Sequence, residues 1–173
     1  PYVCLIARDC AYLNSRQPDG DWDYHNFRDS DIQNYVLAAE ELTTRGYYVI
    51  RMGAKVLAPM NTANPMVIDY AANGMRSEFM DIYLGAHCAF CITSSTGWDA
   101  VPMIFRRPIV YVNMVTLAYL CTYRSAFLSI PKKHVVRNSG KELSLLEIFS
   151  RGVAVSQSGH DYASKGIDFI ENT

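Results

Sequence analysis

Residues 77–113 read SEFMDIYLGAHCAFCITSSTGWDAVPMIFRRPIVYVN, and the fold is decided there. Residues 88–92 form an apolar run, expected to be a strand, that leads into Thr93-Ser94-Ser95-Thr96-Gly97. A short helix is expected next, and then a second apolar strand, Ile109–Val112. Short apolar runs bounded by turn residues fit strands buried on both faces of a parallel sheet. A buried strand that opens into small residues and a helix start presents outward N–H groups, hydroxyls and the positive end of a helix dipole. That combination makes an anion site. Gly97 is expected to allow close approach or a positive φ. The pyrophosphate of a bound nucleotide is placed at this turn, although a small polar connection carries the same residue types.

Working outward, Ser77 caps a helix expected over 77–86, carrying Phe79, Met80, Tyr83 and Leu84. Residues 66–70 (MVIDY) read as a strand, with a turn at Asn73-Gly74. At the start of the chain, 2–7 (YVCLIA) is a nearly continuous apolar strand that delivers Arg8-Asp9 to its C-terminal end. Residues 12–27 read as a long polar loop, a kind of segment that is usually functional or mobile. The clearest helix spans 30–45. Ser30 and Gln33 stand at capping-box spacing, Ile32, Tyr35, Val36, Ala39 and Leu42 share one face, and Gly46 sits at the C′ position. Residues 47–52 (YYVIRM) form the next strand, closed by Gly53, and 55–65 is a connection. Beyond Asn113 the periodicity weakens. An apolar stretch at 115–128 suits either core or an interface. Residues 130–136 read as extended, 143–149 as a helix, 153–155 as a short strand, and 156–173 as a loop and the start of another element. Strands alternating with helices define an α/β class, a Rossmann-like three-layer sandwich with a mostly parallel sheet, in one domain over 1–173.

The 173 residues suffice for a sizeable core, and the formal net charge of −1 gives no bulk attraction to nucleic acid or an anionic membrane. No apolar run is long enough to span a bilayer, and no signal peptide is visible. Five cysteines (4, 10, 88, 91 and 121) fit a reducing compartment, with Cys4, Cys88 and Cys91 as buried thiols. Cys88 and Cys91 form a C-x-x-C, but no second pair stands at zinc spacing, so no metal site is expected. The chain begins at Pro1 on a strand, and we expect it to be an excised part of a longer protein.

In a parallel sheet the C-terminal strand ends line one edge, where open α/β folds place ligands. That edge is expected to carry Arg8-Asp9, Arg51-Met52-Gly53, Asp69-Tyr70 and the 94–97 turn. Arg8 and Arg51 suit a diphosphate through forked, charge-assisted bonds. Equally, they can pair with Asp9 and Asp69 and hold loops, and the sequence leaves both readings open. His25 can act as a base near neutral pH, or be an ordinary loop residue. Arg28 can meet phosphate or cap a carbonyl. Arg106-Arg107 and Lys132-Lys133-His134 read as solvated surface. No G-x-S-x-G, P-loop, G-x-G-x-x-G or H-E-x-x-H is present.

Several segments together resemble a family of bacterial glycosyltransferases associated with surface-polysaccharide genes. They are RDCAYLNS (8–15), YHNFRDSDI (24–32), GYYVIRMG (46–53), VIDYA (67–71), RSEFMDIYLGA (76–86), TSSTG (93–97) and YASKGIDFIENT (162–173). More distantly, the region 80–112 is similar to the C-terminal, nucleotide-binding half of two-Rossmann-domain (GT-B) transferases. The resemblance implies a nucleotide-sugar-dependent glycosyltransferase domain in polysaccharide or glycoconjugate synthesis. It matches Arg8 and the turn Ser94, Ser95, Thr96 and Gly97 to donor or phosphate contacts, to which the reading of the strand ends and loops above adds Arg28, Arg51, Gly53 and Asp69. In such enzymes the base often comes from the other domain; here Asp9 and His25 are the candidate catalytic residues, placed to orient the acceptor or the sugar. No cofactor or metal is expected, because Arg8, Arg51 and the 94–97 turn would neutralise the diphosphate. Its partners would be a nucleotide-diphosphate sugar, an acceptor glycan or lipid-linked glycan, and an acceptor domain preceding Pro1, with no nucleic acid. Its location would be cytoplasmic or peripheral at the inner face of the membrane. One departure stands out: the family's first strand often ends His-x-Arg-Asp, whereas this one ends Ile6-Ala7-Arg8-Asp9. A non-catalytic nucleotide- or partner-binding module is the alternative. A flavodoxin-like domain is disfavoured, because Asp9 lacks an acidic neighbour and a distal lysine.

Overall fold

A computed structural model describes residues 1–120 and 123–173. Six strands, β1 (Tyr2–Ile6), β2 (Tyr48–Arg51), β3 (Val67–Ile68), β4 (Cys91–Thr93), β5 (Ile109–Val112) and β6 (Phe127–Ile130), form one sheet in the order β3-β2-β1-β4-β5-β6. Every pairing in it is parallel. The chain is therefore a Rossmann-like α/β sandwich, as its strand pattern predicts. Alternate residues divide into two buried layers. Cys4, Ile6, Ile50, Met52, Cys91, Ile109 and Tyr111 pack on one face under α3 (Glu78–His87) and α4 (Ala100–Ile104). Val3, Leu5, Val49 and Ile92 pack on the other under α2 (Val36–Thr44). Val3, Cys4 and Leu5 have 0–1 % of their surface exposed, which is why this run shows no polar alternation.

Local chemistry sets the helix ends. Ser77 accepts the Met80 N–H and caps α3. Gly46 closes α2 at φ 85°. Asp31 rather than Ser30 caps the helix ahead of α2, accepting the Gln33 N–H at 2.9 Å. Ser30 turns inward to Tyr35 instead. The strand expected at 88–92 starts later, because α3 runs to His87 and Cys88 is its C-cap. On α3, Leu84 is buried while Phe79 and Tyr83 are exposed. Gly85 lets α4 approach: a Cβ there would lie 2.8 Å from Val101 and 2.9 Å from Trp98.

Two stretches read as loops are structured. Residues 12–27 overlap α1 (Ala11–Arg16) and a 3-10 segment, Asp23–Arg28. Residues 156–173 contain α6 (Gly159–Ser164) and β8 (Ile167–Ile170), which pairs antiparallel with β7 (Lys133–Val136). The strand expected at 153–155 is absent; Val153 and Ala154 are buried in turns. With α5 (Leu145–Ser150), these pieces enclose a third core of Val115, Leu117, Leu143, Ile148, Tyr162 and Ile167. The apolar stretch 115–128 is thus core at Val115 and Leu117 and exposed at Leu128; Cys121 lies outside the described residues. Cys4, Cys88 and Cys91 are buried free thiols.

The third core is latched to the sheet through its last residues. Glu171 accepts hydrogen bonds from Ser30 Oγ, Asp31 N–H and Asn34 Nδ2, and pairs with the buried Lys132 ammonium at 3.0 Å. Asn113, fully buried at φ 61°, accepts the Asn172 N–H at 2.7 Å and donates to Ser30 Oγ and the Asn172 carbonyl. Lys132 also donates to the carbonyls of Phe27 and Asp29. The segment 27–35 is therefore held from the far end of the chain.

Candidate functional site

The strand order reverses between β1 and β4, and at the C-terminal ends of those strands lies a cavity of about 510 Å3. Open α/β sheets bind ligands at this switch point. The floor is the end of β1 at Arg8-Asp9 and the turn Ser95-Thr96-Gly97 after β4. One wall comes from α1 and the 3-10 segment after it, through Tyr12, Trp22, His25 and Arg28; another comes from Gly53 to Val56 after β2. The third is Arg76 and Asp81 at the start of α3, with Trp98.

The turn is built by hydrogen bonds rather than by glycine. Ser95, not Gly97, takes the left-handed conformation, at φ 71°. Its N–H donates to Thr93 Oγ1 at 3.0 Å. Thr93 Oγ1 and the Thr96 N–H both donate to Asp99 at 3.2 Å. A Cβ on Gly97 would meet nothing within 4 Å, so no protein atom approaches there. Burial pushes the Asp99 carboxyl up to about 6, against those two hydrogen bonds and the charge of Arg28.

Four cations line the cavity, and they are not equivalent. Arg8 is ion-paired with Asp29, and also donates to the His25 carbonyl at 3.3 Å. Arg76 is ion-paired with Asp81 at 2.6 Å. Arg28 has no carboxylate at ion-pair distance among the described residues. It donates to the Ser95 carbonyl at 3.1 Å and lies 5.8 Å from the Tyr119 ring centroid. Burial and the neighbouring Arg8 hold its pKa below the usual arginine value. Lys55 is exposed, lines the cavity and likewise has no carboxylate partner among the described residues. Even with the Asp9 carboxylate counted, the cavity lining therefore carries net positive charge, and Arg28 and Lys55 are the cations that no ion pair offsets among the described residues.

Three expected ligands are placed elsewhere. Arg51 is buried, 1 % exposed, donating to the Ala58 carbonyl at 2.7 Å and pairing with Asp69 at 3.1 Å. Asp69 in turn accepts the Met60 N–H at 2.7 Å. This pair ties the 55–65 connection to the sheet and does not face the cavity, because both partners are consumed by the protein. Ser94 is also buried, its Oγ accepting the Arg8 N–H at 2.7 Å. Arg8, Asp9, His25, Arg28, Gly53, Ser95, Thr96 and Gly97 do come together at the cavity. Arg8's partner is Asp29, not the adjacent Asp9. Asp9 instead accepts the N–H groups of Ala11 at 2.9 Å and Leu57 at 3.1 Å, knitting two walls together. Burial, then Arg28 and Arg8, lower the pKa of His25, so its imidazole is neutral at pH 7; its Nδ1 is buried without a partner.

Sequence reasoning missed Lys55, Trp22 and the Arg76–Asp81–Trp98 corner. The spacing of Arg76 and Asp81 across a helix start is a local signal that was available; the position of Lys55 depends on how the connection folds back.

Fold and crevice together define a Rossmann-like α/β domain with a cationic cavity at its switch point. No protein-family model, no curated protein and no solved structure matches the chain significantly. Among the described residues no helix is long and apolar enough to cross a membrane.

Proposed function

We propose that this chain is the donor-binding domain of a nucleotide-sugar-dependent glycosyltransferase, holding the donor's diphosphate over the turn 95–97. The observation that carries the reading is Arg28: a part-buried guanidinium without a carboxylate partner, fixed to the Ser95 carbonyl at the rim of the switch-point cavity. Burying a cation without a counter-ion is costly, and an anionic ligand removes that cost. Lys55 supplies a second charge from the facing wall. In transfer, the bond from the sugar's anomeric carbon to the diphosphate breaks, the acceptor oxygen bonds to that carbon, and the acceptor proton leaves to a base. Charge grows on the diphosphate as the bond breaks, and Arg28 and Lys55 stabilise it there. The neutral imidazole of His25 suits the proton acceptor better than Asp9, whose oxygens take two backbone N–H groups. The acceptor, a glycan or lipid-linked glycan, would be presented by a separate domain, at the inner face of the membrane or in the cytoplasm.

The engagement of Asp9 also favours a second reading, a nucleotide-binding module without turnover. Thermal shift with UDP, GDP, CDP, their monophosphates and inorganic phosphate tests the first point. At a hundredfold excess over Kd, a ligand of the folded form adds about 2.7 kcal/mol, which is roughly 5–10 °C for a chain of this size. Stabilisation by one diphosphate beyond its monophosphate, lost in Arg28→Ala, supports the reading; no response to any diphosphate sinks it. Binding without release of diphosphate from the sugar conjugate, with the acceptor domain present, selects the module.

A further inference from the structure

Resting on the diphosphate reading above, we infer that the Arg76–Asp81–Trp98 corner of the cavity is a subsite for vicinal hydroxyls on a ring attached to that diphosphate. The two walls beside the turn 95–97 differ in chemistry. His25 and Arg28 stand on the segment leading to α2, over one face of the sheet, while Arg76, Asp81 and Trp98 stand with α3 over the other. The second wall combines three elements. Asp81 and Arg76 meet at 2.6 Å, giving an acid acceptor next to guanidinium donors at one spot. Arg76 keeps 33 % of its side chain exposed and Asp81 15 %. Asp81 Oδ1 is buried without a hydrogen-bond partner, so a ligand hydroxyl would meet the carboxylate at the remaining, exposed part of the side chain.

The ring of Trp98 completes the corner. Its Nε1 donates to the Asp81 carbonyl at 3.3 Å, which fixes the indole beside the ion pair. The ring is closely packed from behind, because it lies against Gly85, where a Cβ would come within 2.9 Å. A carboxylate that accepts, a guanidinium that donates, and a flat apolar ring that covers C–H groups match a polyol ring and not a second phosphate. A phosphate would face the Asp81 charge. The ion pair and Arg28 stand on different walls of one cavity, so the diphosphate and the diol take different sides of it.

Two rings on a nucleotide sugar carry such a diol, the ribose and the transferred sugar. The test uses the 173-residue chain and isothermal titration with pyrophosphate, UDP, 2′,3′-dideoxy-UDP and UDP-glucose, and the guanosine series in parallel, on wild type and Asp81→Asn. Loss of a hydrogen bond to a charged group costs about tenfold or more in affinity. The ribose lies in the corner if the dideoxy compound binds about tenfold more weakly than its parent in wild type and the gap closes in Asp81→Asn. The transferred sugar lies there if the dideoxy compound matches its parent while the sugar conjugate gains about tenfold over it only in wild type. Equal affinities of parent, dideoxy compound and conjugate in wild type overturn the inference and leave the diphosphate reading standing. Failure of every compound, pyrophosphate included, overturns both. The comparison within wild type holds even where Asp81→Asn folds poorly.

Discussion

Replacing Glu171 by Gln should destabilise the chain by about 2–3 kcal/mol, although Glu171 lies outside the cavity. Removing one partner of a buried ion pair typically costs about 3–5 kcal/mol, because the other charge is stranded. Here Lys132 is 5 % exposed but Glu171 is 21 % exposed, so solvent screens part of that. The two backbone carbonyls on Lys132 remain, and Gln keeps an acceptor for Ser30 and Asn34. These retained bonds place the cost at the lower end. For a chain of this size the loss appears as a fall in Tm of about 5–10 °C, readable by calorimetry or urea titration. The pH dependence gives a second check. Burial raises the Glu171 pKa, but the hydrogen bond and charge of Lys132, with Asn34 and Ser30, outweigh it and hold the carboxyl below the usual glutamate value. Its contribution is therefore full above the unfolded pKa of about 4.3 and fades as pH falls through the lower folded value. Wild type and variant should converge there. A double-mutant cycle with Lys132→Met should show coupling of about 1 kcal/mol or more. A Glu171→Gln variant within about 0.5 kcal/mol of wild type at pH 7, or strict additivity in the cycle, would refute the latch.

Arg51→Ala should lower stability by about 3–5 kcal/mol by stranding Asp69, while nucleotide affinity per folded molecule stays unchanged; a selective loss of affinity with intact stability would return Arg51 to the ligand set. Because Asp99 is raised to about 6 in the folded chain, the folded state binds more protons than the unfolded between about pH 4 and 6, so this group lowers stability as pH rises through that window, by about 3 kcal/mol in all. Asp99→Asn should remove that part of the slope, measured as the difference between the two urea-titration pH profiles; parallel profiles would contradict the assignment. Ser95→Gly should leave Tm within a few degrees, since glycine accepts φ 71° freely, whereas Ser95→Val should cost about 1–2 kcal/mol. At Asn113 the left-handed φ is occupied by a side chain with several hydrogen bonds, so Asn113→Gly should destabilise despite the same backbone preference.

What could be read from sequence follows the range of the forces involved. Five of the six sheet strands announce themselves as apolar runs, and the Ser77 cap and the Gly46 terminus act over a few residues, so these were visible locally; β6, exposed at Leu128, Ser129 and Ile130, carries no such signal. α1 and α6 are six residues each, too short for a 3.6-residue stripe to register. α6 is held instead by Tyr162, whose ring lies 5.3 Å from Phe27 and 4.9 Å from Phe169. The cavity edge followed from strand polarity, and eight of the eleven expected site residues line it. Which cation is neutralised did not follow, because the deciding carboxylates, Asp29 for Arg8 and Asp69 for Arg51, stand 21 and 18 positions away. Asp69 is among the partners the sequence offers Arg51, whereas nothing local marks Asp29 as the partner of Arg8.

The latch between Ser30 and Glu171 joins residues 141 positions apart. At roughly 5–20 residues per second, a ribosome needs on the order of ten to thirty seconds to synthesise that interval. Throughout it, the segment carrying Arg28 has emerged without the groups that hold it. A nascent chain stalled before residue 171 would own all six strands of the sheet but not the groups that hold the Arg28 segment, so that wall of the cavity is secured in a single closing step, long after the sheet is synthesised.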